Sequence, residues 1–583
     1  MSSKKRNIKR YNLTQIIFGI IIIVLLNIIG SYIHSRFDLT SEKRYSLSDA
    51  TKLMLNNIDD IVYFRIYLEG DDFPAGFKRL RNETKEMLDE FRAYNNLIQY
   101  EFINPSESTN AKERNDTYKL LIERGLQPTD LQIKTNEGQS QKIIFPNALV
   151  TYKSRELPLE LLRTQMGFPP EAVLNNSIQS LEFNIASIIK KLSTIKKSKI
   201  AFIKGHGELT YKETADITAA LSKDFVVERI EIKGQLNSLT ERSPLDSVNL
   251  SIRNKFEAII IAKPKTSFSD KDKFIIDQFV MRGGKVLWLI DPVLASMDSI
   301  QKSGFAISIN YDLNLEDQLF NYGVRLNNNL IMDINALHIP VRTGQIGNQP
   351  QMDFFPWYFF PILTPLSNHP IVNNLNAIST NFISSIDTVE VKNVDKTILL
   401  KTSSYSRIVS SPAMISLSIL QKTPDQRMYQ TPGQPVAVLL EGEFESVFKN
   451  RIPPAIANDD EIGFKEKSKP TKMIVISDGD IIRNQFHIPN GYPLPLGYDQ
   501  FTRQTFGNKE LILNVMNYLC DGSGLISIRS RELKLRLLDR TKVNNNKLFW
   551  QMFNTILPIL LILIFGIVQA RIRKIKYTKS IKN

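Results

Sequence analysis

A glycine-framed quartet, Gly205-His206-Gly207-Glu208, stands just beyond the apolar run Ile200-Ala201-Phe202-Ile203. An imidazole and a carboxylate two residues apart at the mouth of a strand have three readings: an acid–base pair, two ligands of a metal, or a turn in which glycines reverse the backbone and His206 bonds locally. Asp291 and the triplet Asp478-Gly479-Asp480 also end apolar runs. Open α/β sheets bind ligands beyond the carboxyl ends of their strands. Gly205, His206, Gly207, Glu208, Asp291, Asp478 and Asp480 are therefore the candidate ligand- or partner-binding positions. A metal site lacks a third ligand, because the chain has five histidines and neither His-Glu-x-x-His nor a zinc-type Cys/His cluster. Asp478 and Asp480 read more readily as strand-end turn residues than as cation ligands. No metal and no cofactor is expected. The absence of G-x-x-x-x-G-K-[ST] and of a G-x-S-x-G elbow excludes P-loop nucleotide hydrolysis and elbow-type nucleophilic catalysis. The single cysteine, Cys520, has no histidine near it in the sequence and reads as a packing residue. No catalytic residue is assigned; His206 and Glu208 as acid and base remain the enzymatic alternative.

The elements around these positions are legible from periodicity. Before them, a strand, a helix with Leu80, Met87, Leu88 and Phe91 on one side, a second strand, a second helix and two further strands form a β-α-β-α-β-β pattern. That pattern predicts a thioredoxin-like α/β domain over 36–196, without the redox Cys-x-x-Cys. A helix burying Ile178, Leu181, Ile185, Ile188, Ile189 and Leu192 closes it. From 197 to 526, strands such as KIAFIKG, FEAIIIAKP and KVLWLID alternate with helices, predicting a doubly wound α/β domain that KMIVISDGD rejoins after an insertion near 340–440. The aromatic patch FFPWYFFP inside that insertion either packs or meets a partner.

The chain of 583 residues carries a net charge of +14, but the excess sits at three places. Residues 1–10 hold five bases and residues 571–583 six, with no acid in either; 529–547 hold seven bases against two acids, leaving the remainder at −2. A nucleic-acid partner loses its support on that distribution. Apolar stretches at 13–35 and 548–570 are long enough to span a bilayer. The first offers no clear signal-peptide cleavage site and reads as an uncleaved anchor. The basic tails, 1–12 and 571–583, place both termini in the cytoplasm and the loop between the spans outside the inner membrane. The basic run before the second span opposes this, though the charge rule acts weakly on long translocated loops. Within the second span, Gln551, Asn554 and Pro558 are candidates for a helix–helix interface. In the juxtamembrane segment 527–547, Arg531, Lys534, Arg536 and Arg540 ring a leucine face, which suits either anionic membrane lipids or a solvated face whose leucines pack on the ectodomain.

FDLTSEKRYSLS, KGHGEL, GGKVLWLIDPV, VAVLLEGEFESVF, VISDGDIIRN, PLPLGYD, GNKELILNVMNYL and LISIRSRELKLRLLD together resemble the gliding-associated ABC transporter auxiliary proteins of Bacteroidetes, the GldG-like family. The resemblance runs over nearly the whole chain, including both spans. It implies a non-catalytic accessory subunit of the bacterial inner membrane with a large periplasmic domain. Its implied partners are an ABC permease subunit, a separate ATPase subunit and other gliding-machinery proteins. It also implies that the domain starting near Lys199 is similar to an amidotransferase-like module, although no strand end here carries the nucleophilic cysteine of that class.

Overall fold

The computed structural model describes residues 14–25, 27, 46–70, 73–135, 138–163, 169–194, 196–244, 250–347, 349–522, 524–530, 543 and 546–578. The chain divides into two compact units, Met1–Glu532 and Leu533–Asn583. The larger one is mixed α/β.

The first sheet of the larger unit has four strands: β1 (Val62–Ile66), β2 (Ile98–Phe102), β3 (Asn147–Tyr152) and β4 (Arg155–Glu160), in the order β2-β1-β3-β4. β1 and β2 run parallel, joined through helix α1 (Ala75–Tyr94), while β3 is antiparallel to β1 and β4 to β3. Leu80, Leu88 and Phe91 of α1 are buried against this sheet, as are Leu181, Ile185, Ile189 and Leu192 of α2 (Leu181–Ser193). Leu525 and Ile528, far along the chain, return to the same core.

The second sheet has seven strands. In chain order they are β5 (Lys199–Lys204), β6 (Val226–Glu231), β7 (Ala258–Ala262), β8 (Lys285–Leu289), β9 (Val394–Lys401), β10 (Pro435–Gly442) and β11 (Thr471–Ile476). They lie in the order β9-β10-β11-β8-β7-β5-β6. β6, β5, β7, β8 and β11 pair in parallel, and β10 and β9 add an antiparallel edge. Taken in chain order, the parallel set reads 2-1-3-4-5, the flavodoxin-type doubly wound order, whose switch point falls between β5 and β7. Every residue of β7 is buried, because a parallel strand covered on both faces needs apolar side chains throughout. Ile200, Phe202, Ile260, Leu287 and Ile474 face one core, with α3 (Ala215–Leu221) and α5 (Asn508–Cys520) over it. Ala201, Ile203, Ile259, Trp288 and Val475 alternate with them and face the other, under α4 (Asp270–Met281).

Packing is tight where α4 returns to β8. A Cβ on Gly284 would lie 2.3 Å from the Phe279 ring, which is fully buried. Gly284→Ala is expected to lose about 1–3 kcal/mol through overpacking, read as a lower urea midpoint with unchanged slope; an unchanged midpoint would show that the ring yields freely.

Between β8 and β11 the chain builds a lobe around a long hairpin, Ala336–Ile346 and Gln349–Leu363. Trp357, Tyr358, Phe359 and Phe360 are buried in a core of their own, so these four aromatics of the patch pack while Phe354 stays exposed. In the smaller unit, α6 (Lys547–Thr578) is apolar through its centre and basic at its carboxyl end, and Lys547–Ile575 is long and apolar enough to cross a membrane. Thr14–Leu25 is an apolar helix of 12 described residues, short of the ~17–25 needed for a span. Apart from Asn27, the rest of the expected first span lies outside the described residues.

Candidate functional site

The Gly205–Glu208 turn leaves the carboxyl end of β5 at the switch point, the place where this topology ordinarily holds a ligand. Gly205 and Gly207 adopt φ of 120° and 76°, which side-chain-bearing residues avoid. The reversal folds His206 back into the protein, leaving it 6% exposed. Its carbonyl accepts from the N–H groups of Lys265 (2.7 Å) and Thr266 (3.0 Å), and Leu209 N–H donates to Ala262 of β7 at 3.0 Å. The chain's own backbone thus fills the crevice between β5 and β7.

The imidazole is fully engaged. Nδ1 lies 3.1 Å from Glu208 Oε1 and Nε2 3.3 Å from Asp272 Oδ2. Phe268 stacks on the ring at 3.7 Å between centroids. Glu208 also accepts from the His206 N–H at 2.7 Å. Asp272 is placed by the start of α4, where Ser269 Oγ caps the helix by accepting from Asp272 N–H at 3.2 Å and donates to its carboxylate at 2.9 Å. Burial pulls the His206 pKa down, but the Glu208 and Asp272 carboxylates outweigh it and hold the pKa above the usual value. With both nitrogens committed, the ring bonds carboxylates instead of facing a substrate. This is the geometry of an internal pin.

Asp291, Asp478 and Asp480 come together at the carboxyl ends of β8 and β11, in a separate network around Lys263 at the end of β7. Lys263 Nζ lies 2.9 Å from Asp291 and also pairs with Asp480. It occupies the place a cation would need between those carboxylates. The Gly479 N–H donates to Asp291, the Asp480 N–H donates to Asp478 at 2.8 Å, and the Asn381 N–H donates to Asp478 at 3.1 Å. Gly479 is required by close approach, because a Cβ there would lie 2.6 Å from Lys263 Cβ. Burial, reinforced by Asp291 and Asp480, pushes the Asp478 carboxyl well above its usual range. Asp291 is raised by burial against the opposing attraction of Lys263. For Lys263, burial would lower the pKa, and the two carboxylates raise it instead. A cavity of only about 50 Å³ adjoins Asp478 and Asp480.

Lys263, Asp272 and Phe268, which complete these networks, were not singled out by spacing. The one signal for Lys263 is its type, a lysine closing the apolar strand Ala258–Ala262 and directly preceding proline. Cys520 ends α5, and burial pushes its thiol up to about 12, far from the range of a nucleophile. Gln551, Asn554 and Pro558 all lie within α6. Arg531, Lys534, Arg536 and Arg540 fall outside the described residues.

A doubly wound domain whose strand ends are closed by internal ion pairs is the class that these observations define. Residues 197–515 match the family described as ABC-type uncharacterized transport system, and the chain belongs to it, as an auxiliary protein of an ABC-type transport system. Residues 41–151 match a domain of unknown function, DUF7088. An uncharacterized protein of Borreliella burgdorferi (strain ATCC 35210 / DSM 4680 / CIP 102532 / B31) is 22% identical over 553 residues, covering 92% of each chain. A solved structure described as mmIFT52 N-terminal domain is similar at 12% identity and a TM-score of 0.30, covering 56% of this chain and 98% of that one.

Proposed function

We propose that the protein is a non-catalytic, two-span accessory subunit of a bacterial inner-membrane ABC complex serving gliding motility, with both termini cytoplasmic and residues 36–547 periplasmic. Membership of the transport-auxiliary family is the observation that carries this reading. The long apolar helix Lys547–Ile575 supports membrane association, and the motifs shared with GldG-like proteins support the gliding role. The strand order β2-β1-β3-β4, with β3 antiparallel to its neighbours, supports a thioredoxin-like reading of 36–196 as a protein-binding module. The 197–526 domain is read as amidotransferase-like without amidotransferase chemistry. Its partners are the permease, the ATPase and other gliding-machinery proteins, and its role is to bind a partner or pass on conformational change. Purification of the full chain in mild detergent tests this: an ATPase and a multi-span permease are expected to co-purify, and recovery of neither would remove the accessory role.

Within α6, polar Gln551 and Asn554 next to Pro558 would lose free energy facing lipid and gain it against another helix. Asn554→Leu is expected to leave the protein folded and to lower permease recovery several-fold, since one interhelical hydrogen bond contributes about 0.6–2 kcal/mol. Equal recovery from variant and wild type would take these residues out of the interface.

A further inference from the structure

A cleft of about 650 Å³ opens between the four-stranded and the seven-stranded sheets of the larger unit. One wall is β4 and α2; the other is made by Ser198, the Lys223–Phe225 turn, Cys520, Asp521, Leu525 and Ile526. Its floor is apolar, built by Leu157, Phe183, Ile188, Phe225 and Ile526. Its rim is cationic. Of the two acids on the lining, Asp521 pairs with Lys190, and Asp224 pairs with Lys191 at 2.8 Å. Lys196, Lys197 and Lys223 have no carboxylate partner among the described residues; Lys197 donates to the Ser222 carbonyl at 2.8 Å. A second cleft of about 980 Å³ at the amino ends of the strands shares Lys196 and Lys197, but its own bases are largely matched: Lys199 pairs with Glu228, Lys285 with Glu257, and Glu241 also lines it.

We propose that this cleft binds an anionic phospholipid, its phosphate held by Lys196, Lys197 and Lys223 and its acyl portion laid on Phe183, Ile188 and Phe225. Each half of the cleft argues for one half of the ligand. Uncompensated ammonium groups on a rim attract a phosphate. An apolar floor gives a free phosphate nothing, whereas every methylene of an acyl chain buried on it leaves water at a gain. The chain also supplies the source. The wall segment Leu525–Ser530 is followed by residues 531–546, sixteen residues that reach at most ~55 Å, and then by the helix long and apolar enough to cross a membrane. A chain that carries such a helix meets phospholipid, and binding it in this cleft goes beyond what the accessory-subunit reading requires.

The test uses the full chain in detergent, freed of native lipid, with dihexanoyl phosphatidylglycerol added below its micelle concentration and thermal unfolding followed by tryptophan fluorescence. A saturable rise in Tm is expected with phosphatidylglycerol and not with dihexanoyl phosphatidylcholine or sodium phosphate. Changing Lys196, Lys197 and Lys223 together to Gln is expected to raise the half-saturating concentration by about tenfold. Ser187→Trp, which fills the cleft without removing charge, is expected to do the same, and it decides the matter if the triple variant fails to fold. An equal response to phosphatidylcholine, reproduction of the response by phosphate alone, or an undiminished response in both variants overturns the proposal.

Discussion

Lys263→Met is expected to cost about 3–5 kcal/mol of stability at neutral pH, the penalty for stranding buried charge after one partner of an ion pair is removed. Lys263 is 8% exposed and Asp291 5%, so water cannot replace the lost ammonium. The size of the loss depends on pH with a definite sign. The Asp291 and Asp478 carboxyls are held above their usual range by burial, so the folded protein binds their protons more tightly than the unfolded chain does. Stability from such groups is complete below the ordinary aspartate pKa and is lost as pH rises through the folded values. Without Lys263 this effect strengthens, and the deficit of the variant is expected to shrink as pH falls from 7 towards 4. Urea titrations at several pH values, read by the buried Trp288 and Trp357, make the measurement. A second change, Asp480→Asn, is expected to recover part of the loss. A deficit below about 1 kcal/mol, or one indifferent to pH, would mean that the cluster is hydrated and the ion pairs weak.

His206→Gln is expected to cost about 2–4 kcal/mol at pH 6, because it leaves the Glu208 and Asp272 carboxylates without their shared cation. The His206 pKa is raised in the folded state, so its contribution is fully present below the ordinary histidine pKa of ~6.5 and fades as pH rises through the folded value. The difference between wild type and variant should accordingly be widest in mild acid and narrow in alkali. This separates a pin from a catalyst. A variant with native stability at pH 6 whose complex still assembled, but which had lost the gliding role proposed above, would revive His206 as an acid–base group and defeat the structural assignment.

Much of the architecture was written in local pattern. Ala258–Ala262 and the apolar runs 286–289 and 473–476 announce themselves because a parallel strand buried on both faces needs apolar side chains on both. Leu181, Ile185, Ile189 and Leu192 mark the buried stripe of a helix by their spacing alone. The apolar helix Lys547–Thr578 and the glycine-framed reversal at 205–208 are equally local, set by side-chain solubility and by the φ that only glycine adopts readily. The shared motifs already pointed to a transport-auxiliary family, which the match over 197–515 shows.

What the tertiary structure alone decided is who meets whom. His206 finds Asp272 across 66 residues, and Lys263 finds Asp480 across 217, because the doubly wound order sets the ends of β5, β7, β8 and β11 side by side. No spacing rule encodes such pairs. Nor does sequence distance reveal that Leu525 and Ile528 return to the first core, or that Trp357 is buried while Phe354, three residues earlier, is half exposed. The candidate acids and the histidine were legible as residue types. Their roles were not, because charge state and reactivity are set by burial and by neighbours that only folding brings within hydrogen-bond distance.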